Sequence, residues 1–448
     1  MIFNVNILVF IILVIFFLML IYIVMKSKKS KKTNQYYYFD NNATTIYIDD
    51  KTKKEIKDWL CCGNPSNTNH DAGKEAKFKN NQSMKIIADD LKVNSNEIYL
   101  TSNATEANNI AIQGFINYFL KKNIKFSVLT SNIEHPNVLE IFKKYQEQDH
   151  KNLKIIILPI ETNIKSKYYG VINPETLIKT IEKYKKTYPV KFISIMYANN
   201  ETGAINDIKK IGEIANNNHI VFHSDCTQAI GKYIIHPEIL NIHSLTFSGH
   251  KIHAPKGVGC LYIKDKIIFD DLSSSIQLTQ KCDDLCSKDL CGVCFGGHQS
   301  FLRPGTENVA FNAALASALK IVHTNREEKN KHLDSMKKYI IKTLCDNTNC
   351  INIKCNYQNL NNTISLLFPK LKISNQNIAR LLNDYGICVG TNSACSSDVA
   401  VSYVIDAMNI DKKYQDKVIR ISLCDYNTID ECKYLCSKIK KIIKEYTI

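Results

Sequence analysis

From residue 97 onward, short apolar runs alternate with longer stretches whose apolar residues recur every three to four positions. The short runs predict strands at 98–101, 126–130, 155–159, 192–197, 220–223, 244–247 and 259–263. The periodic stretches predict helices at 106–120, 136–148, 174–185 and 207–216. Pro174 after Asn173 is a proline at the first helical turn behind an Asn cap. Such alternation argues for an α/β fold with a mainly parallel sheet covered on both faces. After Thr306 the pattern changes: a long polar helix at 326–346, a strand at 363–368 and helices at 375–384 and 429–446 make a smaller α+β unit. Nearer the N-terminus, Tyr38-Phe39 enters an Asx-rich turn at Asp40-Asn41-Asn42. A loop at 63–67 leads into a long helical region ending near Leu91.

One segment stands apart. Residues 2–25 carry no charged side chain and are almost wholly apolar, enough for one bilayer-spanning helix. Lys26, Lys28, Lys29, Lys31 and Lys32 follow it. Positive residues stay on the cytoplasmic side. The expectation is a single-pass anchor at 1–25, a basic linker at 26–37, a large domain at 38–325 and a small domain at 326–448. The catalytic body then faces the cytosol. A cleaved signal peptide is the alternative, but the uncharged start, the length and the lack of a cleavage site argue against it.

Composition changes this picture little. The 448 residues, 45% hydrophobic and 23% charged, suit a globular chain with room for two domains. The net charge of +15 is partly the juxtamembrane lysines. The remaining lysines are scattered and no nucleic-acid motif accompanies them, so no nucleic-acid partner is expected. Sixteen cysteines in a chain this large suggest reduced thiols rather than a disulfide framework.

Candidate chemistry gathers at strand ends. Thr246-Phe247-Ser248-Gly249-His250-Lys251 puts a lysine just past an apolar run, where α/β sheets bind ligands. A lysine there can condense with an aldehyde cofactor, although most loop lysines are solvated. Asp225 closes another apolar run, and a carboxylate of that kind holds a pyridine nitrogen protonated. Thr101 to Glu106 reads as a strand-to-helix turn whose amides favour a phosphate. A helix cap by Ser102 or Thr105 is the plainer account of that turn.

Ser248-Gly249-His250-Lys251, Asp225-Cys226-Thr227-Gln228 and Asn199-Asn200-Glu201-Thr202-Gly203 together resemble the cysteine desulfurases of the NifS-like class. These are fold-type-I pyridoxal 5'-phosphate (PLP) enzymes of the class-V aminotransferase superfamily, associated with iron–sulfur cluster assembly. The resemblance runs from Phe39 to the C-terminus with the motifs in family order. It implies that Lys251 bonds PLP, Asp225 meets its pyridine nitrogen, and Ala104, Thr105, Ser248 and His250 hold its phosphate. It implies that Thr306 reaches a partner subunit's phosphate, hence a homodimer. It implies that His135 stacks on the ring and moves protons, that Asn200 and Gln228 surround the phenolic oxygen and substrate, and that Arg420 clamps the substrate carboxylate. Taken alone, an arginine between β-branched residues also fits a strand-edge surface position.

The resemblance makes Cys395, in Ser393-Ala394-Cys395, the nucleophile that takes sulfur from L-cysteine, and a candidate transient iron–sulfur ligand. The implied activity yields L-alanine and an enzyme-bound persulfide for a sulfur acceptor or iron–sulfur scaffold protein. Selenocysteine lyase or another PLP lyase is the rival enzyme, and an idle membrane-bound scaffold the rival from another class. Cys282, Cys286, Cys291 and Cys294 depart from the family pattern. Four thiolates suit zinc or an iron–sulfur cluster, and a compact cysteine-rich loop is the alternative.

Overall fold

The computed structural model describes residues 36–264, 266–268, 275–277, 299, 302–346, 348–391 and 401–447. The apolar run 2–25, the lysines behind it, the Cys282–Cys294 cluster and Cys395 lie outside them. Among the described residues no helix is long and apolar enough to cross a membrane.

In chain order the strands are β1 (Tyr37–Phe39), β2 (Ile98–Thr101), β3 (Phe126–Ser131), β4 (Leu153–Leu158), β5 (Val190–Ser194), β6 (Val221–Asp225), β7 (Ser244–Ser248), β8 (Gly259–Ile263), β9 (Lys266–Ile268), β10 (Ser275–Gln277), β11 (Ile351–Ile353), β12 (Thr363–Leu367), β13 (Ile387–Val389) and β14 (Val418–Ser422). The helices are α1 (Asp50–Trp59), α2 (Asp71–Leu91), α3 (Ala104–Lys121), α4 (Pro136–Glu147), α5 (Pro174–Tyr184), α6 (Ile208–Asn217), α7 (Val309–His323), α8 (Arg326–Cys345), α9 (Asn375–Asp384), α10 (Tyr403–Ala407), α11 (Lys412–Gln415) and α12 (Ile429–Tyr446).

A seven-stranded sheet has the order β2-β8-β7-β6-β5-β3-β4. Strands β4, β3, β5, β6 and β7 run parallel. Strand β8 is antiparallel to both β7 and β2. The cause is chain length: only residues 249–258 separate β7 from β8, too few for a helical crossover, so the chain must turn straight back. Both sheet faces are covered. Phe115, Phe119, Phe126 and Phe192 pack on one side, and Ile193, Phe222, Leu245 and Phe247 on the other. Strands β5, β6 and β7 are therefore buried along their whole length, whereas the edge strand β4 is partly exposed.

A second core lies around the antiparallel sheet β11-β12-β14, against α8, α9 and α12. Strand β1 joins it by pairing in parallel with β13. Asp40 bridges Ser422, and Gly390 bridges Arg420. Strand β1 and the turn after it thus dock on the C-terminal unit.

Several boundaries differ from the sequence expectation. β4 begins at Leu153, two residues before the expected start, and β5 occupies Val190–Ser194 rather than 192–197. The regular ladder of β5 stops at Ser194, although the Tyr197 amide still donates to the Asp225 carbonyl. Helices α1 and α7 were not expected. The α1 sequence is largely charged and, although its few apolar residues fall on one face, it buries only Thr52. The α7 sequence is apolar on nearly every side, so no polar face marks it as a helix.

Candidate active site

β3, β5, β6 and β7 end on one edge of the large sheet, as expected where an α/β sheet binds a ligand. A cleft of about 310 Å³ opens there. Ala104, Thr105, His135, Asn200, Asp225, Gln228, Ser248, His250 and Lys251 all line it. Lys251 leaves β7 in a short 3₁₀ turn, and its Nζ donates to the carbonyls of Asn42 (2.6 Å) and Ala43 (2.7 Å). The turn after β1 therefore holds the lysine. No feature of the sequence around Lys251 announces that contact, 208 residues away for Ala43.

Asp225 ends β6. Its Oδ1 accepts from the Thr227 amide at 2.9 Å and its Oδ2 from Asn108 Nδ2 at 2.8 Å. Asn108 is fully buried in α3. Its Oδ1 accepts from Thr246 Oγ1 (2.6 Å) and His223 Nε2 (3.1 Å). The amide group is thereby held with its NH₂ toward the carboxylate. Burial pushes the His223 imidazole down to about 4, so the ring is neutral and has a single proton to donate. Sequence reasoning missed Asn108. Its signal was present: an uncapped Asn on the apolar face of a helix needs a buried partner.

The N-terminus of α3 lies beside Ser248, whose Oγ accepts from the Ala104 amide at 2.7 Å. Asn103 caps the helix, accepting from the Glu106 amide at 2.9 Å. The cap is thus neither Ser102 nor Thr105. Thr105 Oγ1 instead accepts from Asn137 Nδ2. Gly259 lets β8 approach this turn, since a Cβ there would sit 2.7 Å from the Asn103 backbone.

His135 caps α4, its Nδ1 accepting from the Asn137 amide at 3.2 Å. That places the ring proton on Nε2. Burial lowers its pKa, opposed by nearby Asp225 and aided by Lys251. Burial, with Lys251 and Lys256, pushes His250 down to about 4. Both rings are neutral near pH 7.

Arg420 is no strand-edge surface residue. It is 2% exposed within β14, because its guanidinium is turned inward to meet a carboxylate. Nη2 donates to Asp40 Oδ1 at 2.6 Å, Nη1 donates to the Asn200 carbonyl at 3.3 Å, and Nε is buried without a partner. Its backbone pairs both ways with Gly390 (2.7 and 2.9 Å), the residue from which the segment carrying Cys395 departs. Thr306 is exposed and does not line the cleft of its own chain.

Gly390 has a steric reason to be glycine. A Cβ there would lie 2.6 Å from Arg420 Nη2 and 2.8 Å from Asp40 Oδ1. Gly390→Ala is expected to displace the guanidinium and weaken its charged hydrogen bond to Asp40, worth about 1.5–3 kcal/mol. A thermal melt checks this, and an unchanged midpoint would show that the arginine tolerates the methyl group.

With this geometry in hand, similarity to known proteins decides the family. Residues 37–435 match the model of the class-V aminotransferases. The chain belongs to the class-V aminotransferase family. Among curated members it is 32% identical over 384 residues to a cysteine desulfurase IscS of Methanosarcina thermophila, covering 86% of this chain and 85% of that one. A cysteine desulfurase IscS of Rickettsia africae is 28% identical over 85% of each chain. Among solved structures, a NifS-like protein superposes with a TM-score of 0.77 at 31% identity, covering 92% of this chain and all of that one. A NifS-like protein from Rickettsia africae gives 0.73 at 25% identity, with 92% and 100% covered.

Members of the class-V aminotransferase family use PLP. The residues present fit it. The cleft joins a primary amine, a carboxylate fixed by two donors and the N-terminus of an 18-residue helix. Two of its lining residues, Thr227 and Gln228, each have a buried side-chain oxygen without a partner. These are the polar groups that a polar, anionic cofactor satisfies.

Proposed function

We propose that this chain is a cysteine desulfurase, which removes sulfur from L-cysteine, releases L-alanine and holds the sulfur as a persulfide on Cys395. The observation that carries this reading is the pairing of Gly390 with Arg420. It holds Gly390, five residues before Cys395 in the sequence, against a buried arginine suited to a substrate carboxylate, and that arginine donates to the carbonyl of Asn200, which lines the lysine-bearing cleft. Relatives named cysteine desulfurase support it.

Bound PLP supplies an electron sink for the α-carbon of the amino acid. In our proposal the chain does the rest. Ser248, His250 and the Ala104 and Thr105 end of α3 hold the phosphate. Asp225, fixed by Asn108, faces the pyridine nitrogen. Gln228 and Asn200 orient the ring and substrate, and Arg420 binds the carboxylate. Lys251 Nζ moves the α-proton, with neutral His135 beside it. The Cys395 thiolate attacks the substrate sulfur and keeps it, and the carbon skeleton leaves as alanine. Thr306 completes the phosphate site of a partner subunit in a homodimer. The acceptor is an iron–sulfur assembly protein or another thiol carrier.

The test is turnover of L-cysteine by the PLP-loaded protein, with alanine and sulfide measured together in the presence of a thiol reductant. Equal release of both is expected. Turnover of selenocysteine alone would favour the lyase reading, and a colourless protein without turnover would favour the scaffold.

The reading also includes an anchor. Residues 2–25 as a helix would span roughly 36 Å, enough for the ~30 Å hydrocarbon core. The lysines behind it place the catalytic body on the cytosolic side. Full-length protein is expected to remain in the membrane pellet after an alkaline wash, and protein lacking residues 1–32 to be soluble and active. Uncleaved full-length protein found wholly in the supernatant would rule the anchor out.

A further inference from the structure

Behind Lys251, away from the cofactor cleft, lies a second, small cavity of about 60 Å³. Its wall includes Lys251, His253, Lys329, Cys424 and Asp425. Nothing in the proposed reaction uses His253, Cys424 or Asp425.

The hydrogen bonds of His253 are unusual. Nδ1 faces the Tyr47 carbonyl at 2.9 Å, an acceptor only, so the Nδ1 proton is fixed there. Nε2 faces Asp425 Oδ1 at 3.3 Å. A proton on Nε2 makes the two an ion pair, and a bound cation can take that proton's place. Two ligands at about 2.0–2.1 Å from one tetrahedral ion stand ~3.3 Å apart, so the pair already has the separation of a tetrahedron edge.

A third donor completes the case. Buried Cys424 brings its Sγ within 4.8 Å of both the histidine nitrogen and the carboxylate oxygen. The corresponding tetrahedral edge to sulfur is ~3.5 Å, so a sulfur shift of roughly 1 Å closes the site. The other carboxylate oxygen, Oδ2, is engaged separately by Lys329 Nζ at 3.3 Å, which leaves Oδ1 for the ion. The carbonyl bond at Nδ1 is the outer support that metal-ligating histidines have. Backbone geometry serves the same end: His253 adopts a left-handed conformation (φ 66°), and its amide donates to Thr45 Oγ1 at 3.1 Å.

We propose that His253 Nε2, Cys424 Sγ and Asp425 Oδ1 form a binding site for a divalent transition-metal ion of the zinc class, with a water in the fourth position facing the cavity. Binding releases the Cys424 proton to solvent. The site is separate from Cys282, Cys286, Cys291 and Cys294, and its three ligands are hard to see in sequence because His253 lies 171 residues from Cys424 and 172 from Asp425.

The test uses the full chain with PLP bound, stripped of metal by a chelator and titrated with zinc or cobalt(II). To separate the two candidate centres, it is repeated with Cys282, Cys286, Cys291 and Cys294 all changed to Ser. That variant is expected to retain one zinc per protomer, and its cobalt form to show thiolate-to-metal absorption. Cys424→Ser in that background should lose the absorption and weaken zinc binding at least about tenfold. His253→Gln supplies the same reading should Cys424→Ser fail to fold, with cofactor absorbance and the melting midpoint reporting the fold. No zinc bound by the four-serine variant, or equal affinity after Cys424→Ser or His253→Gln, overturns the proposal.

Discussion

Lys251→Ala is expected to bring cysteine-dependent alanine formation below detection while leaving the protein folded. Loss of a positioned proton carrier alone costs about 10²–10⁴-fold. Loss of the covalent tie to the cofactor adds to that. The fold should survive, because the Asn42 carbonyl keeps a second donor, Gln228 Nε2 at 3.1 Å, and Thr45 still pairs with the His250 carbonyl at 2.9 Å. Borohydride reduction of the parent protein, followed by digestion, should leave the cofactor on the peptide containing Lys251. The variant should yield no labelled peptide. A variant that keeps both the label and normal turnover would show that another lysine performs the role. Half-buried Lys232, pushed down to about 7 by its surroundings and by Lys251, would be the first to examine.

Cys395→Ser separates desulfuration from other chemistry at the same cofactor. In the proposed reaction, binding and polarising the amino acid fall to Lys251, Asp225 and Arg420. Removing its sulfur as a persulfide needs a second nucleophile. The serine variant should keep the cofactor spectrum and its response to cysteine, yet lose nearly all alanine release, since a hydroxyl is a weak nucleophile at neutral pH. Peptide mass analysis of the parent after cysteine treatment should place one extra sulfur on Cys395. Sulfur found on Cys282, Cys286, Cys291 or Cys294, with Cys395→Ser active, would make that cluster the carrier. Persistent activity with no sulfur on any cysteine would make the enzyme an eliminating lyase.

What the sequence made legible was local. Strands β2 and β8 and helices α9 and α12 match their expected bounds, since period and caps are written within each element. The strand ends carrying Asp225 and Ser248 were legible for the same reason. The contacts that hold the site together were not. Asp40 meets Arg420 from 380 residues away, and Asn42 meets Asn200 and Thr363 from 158 and 321 residues away. Asn108 beneath Asp225 is 117 residues distant in the chain. Such pairs leave no periodic trace. The burial of Arg420 illustrates the difference: its β-branched neighbours specify a strand, but only the arrival of Asp40 specifies that the guanidinium turns inward.

The docking of β1 and the turn after it onto β13 and β14 also sets an order of events during synthesis. Asn41 donates to the Ser422 carbonyl, 381 residues later. At about 5–20 residues per second, the ribosome needs roughly 20–80 s to supply that partner. Until then the turn that steadies Lys251 has no β14 to rest on, and β1 has no β13 to pair with. The large sheet, whose strands end at Ile263, can assemble first, but it emerges with an unfinished cleft. A nascent chain stalled before residue 418 should therefore be compact around its sheet and still unable to hold its lysine in place.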